Sequence, residues 1–149
     1  MLKKFLPAYH INDKDFYNQK REVGWVSGAF FLISRRCIGE TGFLDEQIFM
    51  YGEEVEWCLR IKNNGFRVIY TPDIEITHLK GKSGSGKYAG IIEEFKALEY
   101  IFSKHKPAWQ MPLLRLTLKA GALLRLLFFG IILQERRWQE IYAKAFKMA

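Results

Sequence analysis

Residues 42–60 read GFLDEQIFMYGEEVEWCLR, and the pattern continues through Gly65 to His78. A Gly-Phe-x-Asp-Glu turn, an aromatic link at Phe49 and Tyr51, and the acidic cluster Glu53, Glu54 and Glu56 follow in close order. Tyr51 to Asn63 reads as a helix, on which Val55, Leu59 and the Lys62 stem share one face. Glu56 and Arg60 form a favourable i,i+4 pair. Asn63-Asn64-Gly65 is a left-handed C-terminal stop. Three carboxylates in the first turn of a helix, beside aromatic rings, suit a base and an orienter facing a polyhydroxylated ligand. Taken alone, they equally suit compensation of the helix dipole, at about 0.3–1 kcal/mol each.

Around this stretch the predicted elements alternate. Residues 1–20 form an irregular lead-in. Glu22 to Ser34 is a β-rich apolar run, interrupted by Gly24 and Gly28, where glycine marks a bulge or a close backbone approach. Arg35 to Gly42 suits a short helix or turn. Phe66 to Tyr70 reads as a strand, Thr71-Pro72 as a turn, and Asp73 to His78 as a second, alternating strand. Gly81 to Gly86 is a flexible loop before a helix from about Tyr88 to Lys104. Gly81 to Lys87 matches the spacing of a phosphate-binding loop, but Tyr88 stands where that loop needs Ser or Thr for magnesium, so it is set aside.

The chain has 149 residues, enough for one core. Its formal charge of +7 is unevenly placed. Residues 1–103 balance at 14 basic and 14 acidic residues, whereas residues 104–149 carry 9 against 2. No nucleic-acid recognition pattern accompanies this basic tail, and no nucleic-acid partner is expected. Met111 to Leu133 is dense in Leu, Ile and Phe and contains Arg115, Lys119 and Arg125. At 100° per residue the three cations span an arc of about 120°, which makes an amphipathic helix with a cationic edge. Three charges along it argue against crossing a bilayer. An interfacial helix on an anionic membrane surface fits them; a helix packed on the domain with its basic edge in water is the alternative. Cys37 and Cys58 have no CxxC arrangement and read as reduced core thiols of a cytosolic protein. The short apolar part of the N-terminus predicts no export.

In order, Val26-Ser27-Gly28-Ala29, Gly42-Phe43-x-Asp45-Glu46, Phe49-x-Tyr51-Gly52-Glu53-Glu54-Val55-Glu56, Arg60, Gly65, Tyr70-x-Pro72 and His78 resemble one family. It is the C-terminal half of the catalytic domain of family 2 (GT-A fold) glycosyltransferases, closest in look to rhamnosyltransferase-like enzymes that extend lipid-linked glycans. The resemblance implies an α/β chain with a partial GT-A fold, a mixed sheet with flanking helices, followed by C-terminal amphipathic helices. It places an acceptor-side half in residues 1–104 and a basic tail in residues 105–149. It also implies an inverting sugar transfer from a nucleotide-diphosphate donor to a lipid-linked or polysaccharide acceptor in cell-surface glycan synthesis, peripheral on the inner face of the plasma membrane.

Such a transfer needs a general base for the acceptor hydroxyl and neutralisation of the departing diphosphate. By resemblance, Glu54 takes the base position, where the family commonly has Asp. Glu53 holds the acceptor or the local turn, and Trp25 and Gly28 line the acceptor side. His78 ligates a divalent metal (Mg or Mn) or contacts the diphosphate, and Lys82 or Lys87 in the following loop helps neutralise it. Glu53-Glu54-Val55-Glu56 departs from the family's frequent Glu-Asp-x-Asp by a methylene at two positions. The family's N-terminal nucleotide-binding half has no counterpart before Glu22, since twenty residues cannot build a β-α-β unit. The expectation is therefore the acceptor half of an enzyme, inactive alone. A non-catalytic membrane-surface or partner-binding remnant stays open beside it.

Overall fold

The computed structural model describes residues 15–79 and 86–149. A short 3-10 turn, Asp15–Asn18, leads into β1 (Arg21–Glu22). Helix α1 (Arg35–Thr41) and helix α2 (Glu53–Asn63) follow, then β2 (Ile69–Tyr70), α3 (Gly86–His105), α4 (Gln110–Leu127), a π turn (Phe128–Ile132) and α5 (Arg136–Met148). β1 and β2 pair antiparallel, Arg21 opposite Tyr70 and Glu22 opposite Ile69.

The mixed sheet expected from the sequence is reduced, among the described residues, to this ladder. One further bond, Val23 N–H to the Val68 carbonyl at 2.9 Å, extends it. Beyond it, residues 30–34 keep the inside-outside alternation of a strand without a ladder. Phe31 and Ile33 pack on the core while Leu32 is 89% exposed. Residues 73–78 likewise form no strand, and Ile74 and Ile76 are exposed. A helix satisfies its own backbone, but a strand needs a neighbour. The described residues supply these runs with none beyond β1–β2.

The helices form where their signals stand. The Ser34 hydroxyl caps α1 by accepting from Cys37 N–H at 3.2 Å. α2 ends in a Schellman motif: Gly65 has φ +79°, Gly65 N–H bonds Lys62 O at 3.0 Å, and Phe66 N–H bonds Ile61 O at 3.1 Å. Phe66 then packs on the cluster containing Ile61.

Three apolar clusters result. Cys37, Trp57, Cys58, Ile61 and Val68 join α1, α2 and the ladder. Ile48, Ala97 and Ile101 join the turn before α2 to α3, with Val55 and Leu59 of α2 against them. Ile92, Ala122 and Ala145 join α3, α4 and α5. Cys37 and Cys58 are free and buried. α3 thus packs on both halves of the chain and crosses the 104/105 boundary drawn from sequence.

α4 packs on α3 and α5. Its cationic arc turns toward its helical neighbours: the Arg115 guanidinium donates to Glu99 of α3 at 2.8 Å, and Arg125 lies 5.9 Å from the Tyr142 ring centre of α5. Fully buried Ala122 is the close contact on that side. The opposite face, rich in leucine, is exposed. Among the described residues no helix is long and apolar enough to cross a membrane.

Candidate active site

The N-terminus of α2 is held in place by its third acidic residue. Glu56 is completely buried, and both its oxygens are occupied. Arg60 Nε donates to both oxygens at 2.9 Å, and Arg60 Nη2 donates to Oε2 at 2.8 Å. From α3, Lys104 Nζ reaches Glu56 Oε1 at 2.8 Å, and His105 Nε2 lies 2.9 Å from the same oxygen. Burial pushes the Glu56 carboxyl up, but the bonds from Arg60, Lys104 and His105 outweigh it and hold it below its ordinary value.

The network reaches the Gly-Phe-x-Asp-Glu turn. Arg60 also donates to the carbonyls of Thr41 and, at 2.7 Å, of Phe43. Trp57 Nε1 donates to Gly42 O at 3.0 Å. Lys104 bonds Asp45, whose carboxylate also accepts from the Tyr100 hydroxyl at 2.8 Å. The Lys104 bond, chiefly, lowers the Asp45 carboxyl to about 2. The sequence reading found Glu56–Arg60 by spacing. The motif holding Asp45 was legible as well, but not its link to Lys104 and His105, whose only sequence signal is a basic helix end.

Backbone geometry sets the entry to α2. Tyr51 has φ +67° and Gly52 φ +125°. A Cβ on Gly52 would stand 3.1 Å from the Ala97 Cβ, and one on Gly90 of α3 would stand 2.8 Å from the Tyr51 ring. Glycine at both positions lets α3 close on the turn.

On this frame Glu53 and Glu54 sit side by side, half-buried. Glu53 Oε2 and Glu54 Oε2 are both shielded from solvent, without a hydrogen-bond partner among the described residues. Burial, and then the neighbouring Glu54 charge, push the Glu53 carboxyl up, opposed by the backbone N–H groups of Glu53, Gly52 and Tyr51. Gly28 N–H approaches Glu54 Oε1 at 3.5 Å, and the Glu54 stem lies against Gly28. The fold therefore brings together three of the expected residues: Gly28, Glu53 and Glu54. Trp25 packs part-buried on the cluster around Trp57. His78 is exposed, beyond the ladder. Lys82 lies outside the described residues, as do the expected loop's residues 81–85; Lys87 lies in the first turn of α3.

Family 2 enzymes commonly use a divalent metal. Among the described residues no three His, Cys, Asp or Glu side chains are placed to hold a metal ion, and His78 has no companion ligands there. The residues described do not fit such an ion.

Comparison with known proteins bears on this arrangement. "Glycosyltransferase like family 2" matches residues 8–93. An N-acetylglucosaminyl-diphospho-decaprenol L-rhamnosyltransferase of Mycobacterium tuberculosis is 35% identical over 108 residues, 71% of this chain and 35% of that protein. A low-salt glycan biosynthesis hexosyltransferase of Haloferax volcanii is 25% identical over 114 residues, 72% of this chain and 37% of that protein. A dTDP-rhamnosyl transferase of Shigella flexneri is 37% identical over 72 residues, 48% of this chain and 23% of that protein. The chain spans about a third of the length of the first two relatives (35% and 37%). No solved structure matches it. With the family match covering more than half its residues, the chain belongs to glycosyltransferase family 2 and is rhamnosyltransferase-like.

Proposed function

We propose that this chain forms the acceptor side of an inverting glycosyltransferase, with Glu54 as general base. The observation that carries it is the Glu54 carboxylate: one oxygen rests near Gly28 N–H, and the other is shielded and unpartnered. An acceptor hydroxyl meeting Glu54 Oε2 passes its proton there as its oxygen bonds the anomeric carbon of the donor. The bond to the nucleoside diphosphate breaks in the same step, and the diphosphate leaves with that electron pair. Glu53, drawn back onto the N–H groups of its own turn, holds the turn and orients Glu54. Trp25 and Gly28 line the acceptor side. His78 and Lys82 are assigned to the diphosphate side by resemblance.

The relatives act, by name, in rhamnosyl and hexosyl transfer, one of them on a diphospho-decaprenol-linked sugar. We extend that to this chain as a nucleotide-diphosphate sugar donor and a lipid-linked or glycan acceptor in cell-envelope synthesis. In this reading the donor-binding half lies in the length the relatives have beyond the match. The site faces a lipid-borne acceptor from the cytoplasmic side, as a peripheral membrane protein. A non-catalytic remnant would leave the shielded Glu54 oxygen without a use.

The test joins this chain to the donor-binding half of the M. tuberculosis relative and measures sugar transfer. Glu54→Gln should lower kcat by about 10²-fold or more, with KM little changed. Full activity in that variant overturns the assignment.

A further inference from the structure

α4 carries two apolar faces and uses only one. Ala122 and its neighbours pack on α3 and α5, whereas Leu113, Leu116, Leu123, Leu124 and Leu127 are each 42–69% exposed. At 100° per residue these five leucines fall within about 100° of arc on the side opposite Ala122. Ile131, 70% exposed, continues the ridge beyond α4. Arg115 and Arg125 are engaged on the packed side. Lys119 stands at the border of the ridge, exposed and without a partner among the described residues. Lys106 precedes it and Arg136 and Arg137 follow it, exposed in the same state.

We infer that this leucine ridge is the membrane-inserting face of the protein, laid flat into an anionic lipid surface with Lys106, Lys119, Arg136 and Arg137 at its margins. The inference rests on the membrane-surface reading above and names the face that meets the lipid: leucine enters it, while Arg115 and Arg125 stay on the packed side. Charge selects the occupant. α4 holds three cations and no carboxylate, and residues 104–149 carry 9 basic against 2 acidic residues. A second copy would set like charge against like charge. An anionic leaflet offers an apolar interior to the ridge and negative headgroups to its margins. Trp109, 69% exposed at the start of α4, sits at the end of the ridge, where an indole suits the headgroup boundary.

The experiment uses the 149-residue chain and vesicles of phosphatidylcholine with or without phosphatidylglycerol. Flotation with the anionic vesicles is compared for the wild type and for Leu116→Gln/Leu124→Gln, both exposed sites, with circular dichroism confirming equal helix content. The expected result is a fall in partitioning of about tenfold or more in the double variant. Brominated lipid should also quench the part of the emission that Trp109→Phe removes. Equal flotation of wild type and variant overturns the ridge while leaving membrane-surface association standing. No flotation of the wild type overturns both. A dimer that sediments as monomer in the leucine variant, with flotation unchanged, makes the ridge a self-association surface and overturns the inference.

Discussion

A single carboxylate, Glu56, decides how the first turn of α2 is used. With no exposure and bonds to Arg60, Lys104 and His105, it is a structural anchor, which leaves the adjacent Glu53 and Glu54 as the pair free for chemistry. Removing its charge strands the Arg60 and Lys104 cations against a neutral group. Glu56→Gln should therefore lose about 3 kcal/mol of unfolding free energy, read from urea denaturation. Glu53→Gln should do the opposite near neutral pH. The Glu53 carboxyl is pushed up, so its contribution to stability is present at low pH and lost as pH rises through its folded value. The neutral amide removes that loss, and the variant should be at least as stable as the wild type at pH 7. Only part of this was legible in the sequence. The i,i+4 spacing identifies the Glu56–Arg60 pair, but nothing local connects Glu56 to His105, which is brought to it by the packing of Ala97 and Ile101. Three adjacent glutamates look alike in a sequence. Burial separates them.

At the scale of elements, helices were legible and strands were not, for a reason in the hydrogen bonding. The stop at Asn64-Gly65 is written in the residue types, because the left-handed φ of Gly65 is open to glycine and strained for others. Gly65→Ala should cost about 1 kcal/mol, measured as a lower thermal midpoint; nothing lies near its Cβ position, so the loss isolates the backbone term. Gly90→Ala tests packing instead, since its methyl would meet the Tyr51 ring. It should cost about 1–3 kcal/mol, and Tyr51→Ala in the same chain should recover the overpacking part of that loss. The apolar runs at residues 22–34 and 73–78 have strand composition, yet the alternation at residues 30–34 records only which side chains turn inward, and residues 73–78 are exposed throughout. Pairing depends on a neighbour elsewhere. The periodicity of α4 was equally incomplete: it revealed a cationic arc but not that the small residue Ala122 would draw that side inward and leave leucine outside.

The whole molecule is tied together by α3, whose middle packs on Ile48, whose Ile92 packs on α4 and α5, and whose last turn binds Asp45 and Glu56. The two-part reading of composition, a balanced body and a basic tail, thus meets in one helix that belongs to both. That junction is electrostatic at one end and makes the assembly sensitive to acid. Asp45 is held at about 2, below its ordinary 3.8, and Glu56 is also lowered. For a depressed carboxyl the folded state releases its proton more readily than the unfolded chain. Its contribution is therefore complete above the unfolded value and disappears as pH falls through the folded one. Stability should accordingly fall between about pH 4 and pH 2, while the chain's positive charge grows and adds self-repulsion. Asp45→Asn should be less stable than the wild type at pH 7, because Lys104 loses one of its two carboxylate partners. Its urea midpoint should vary less between pH 4 and pH 2, and the two curves should converge toward the acid end. Parallel curves over that interval would show that Asp45 does not carry the acid sensitivity.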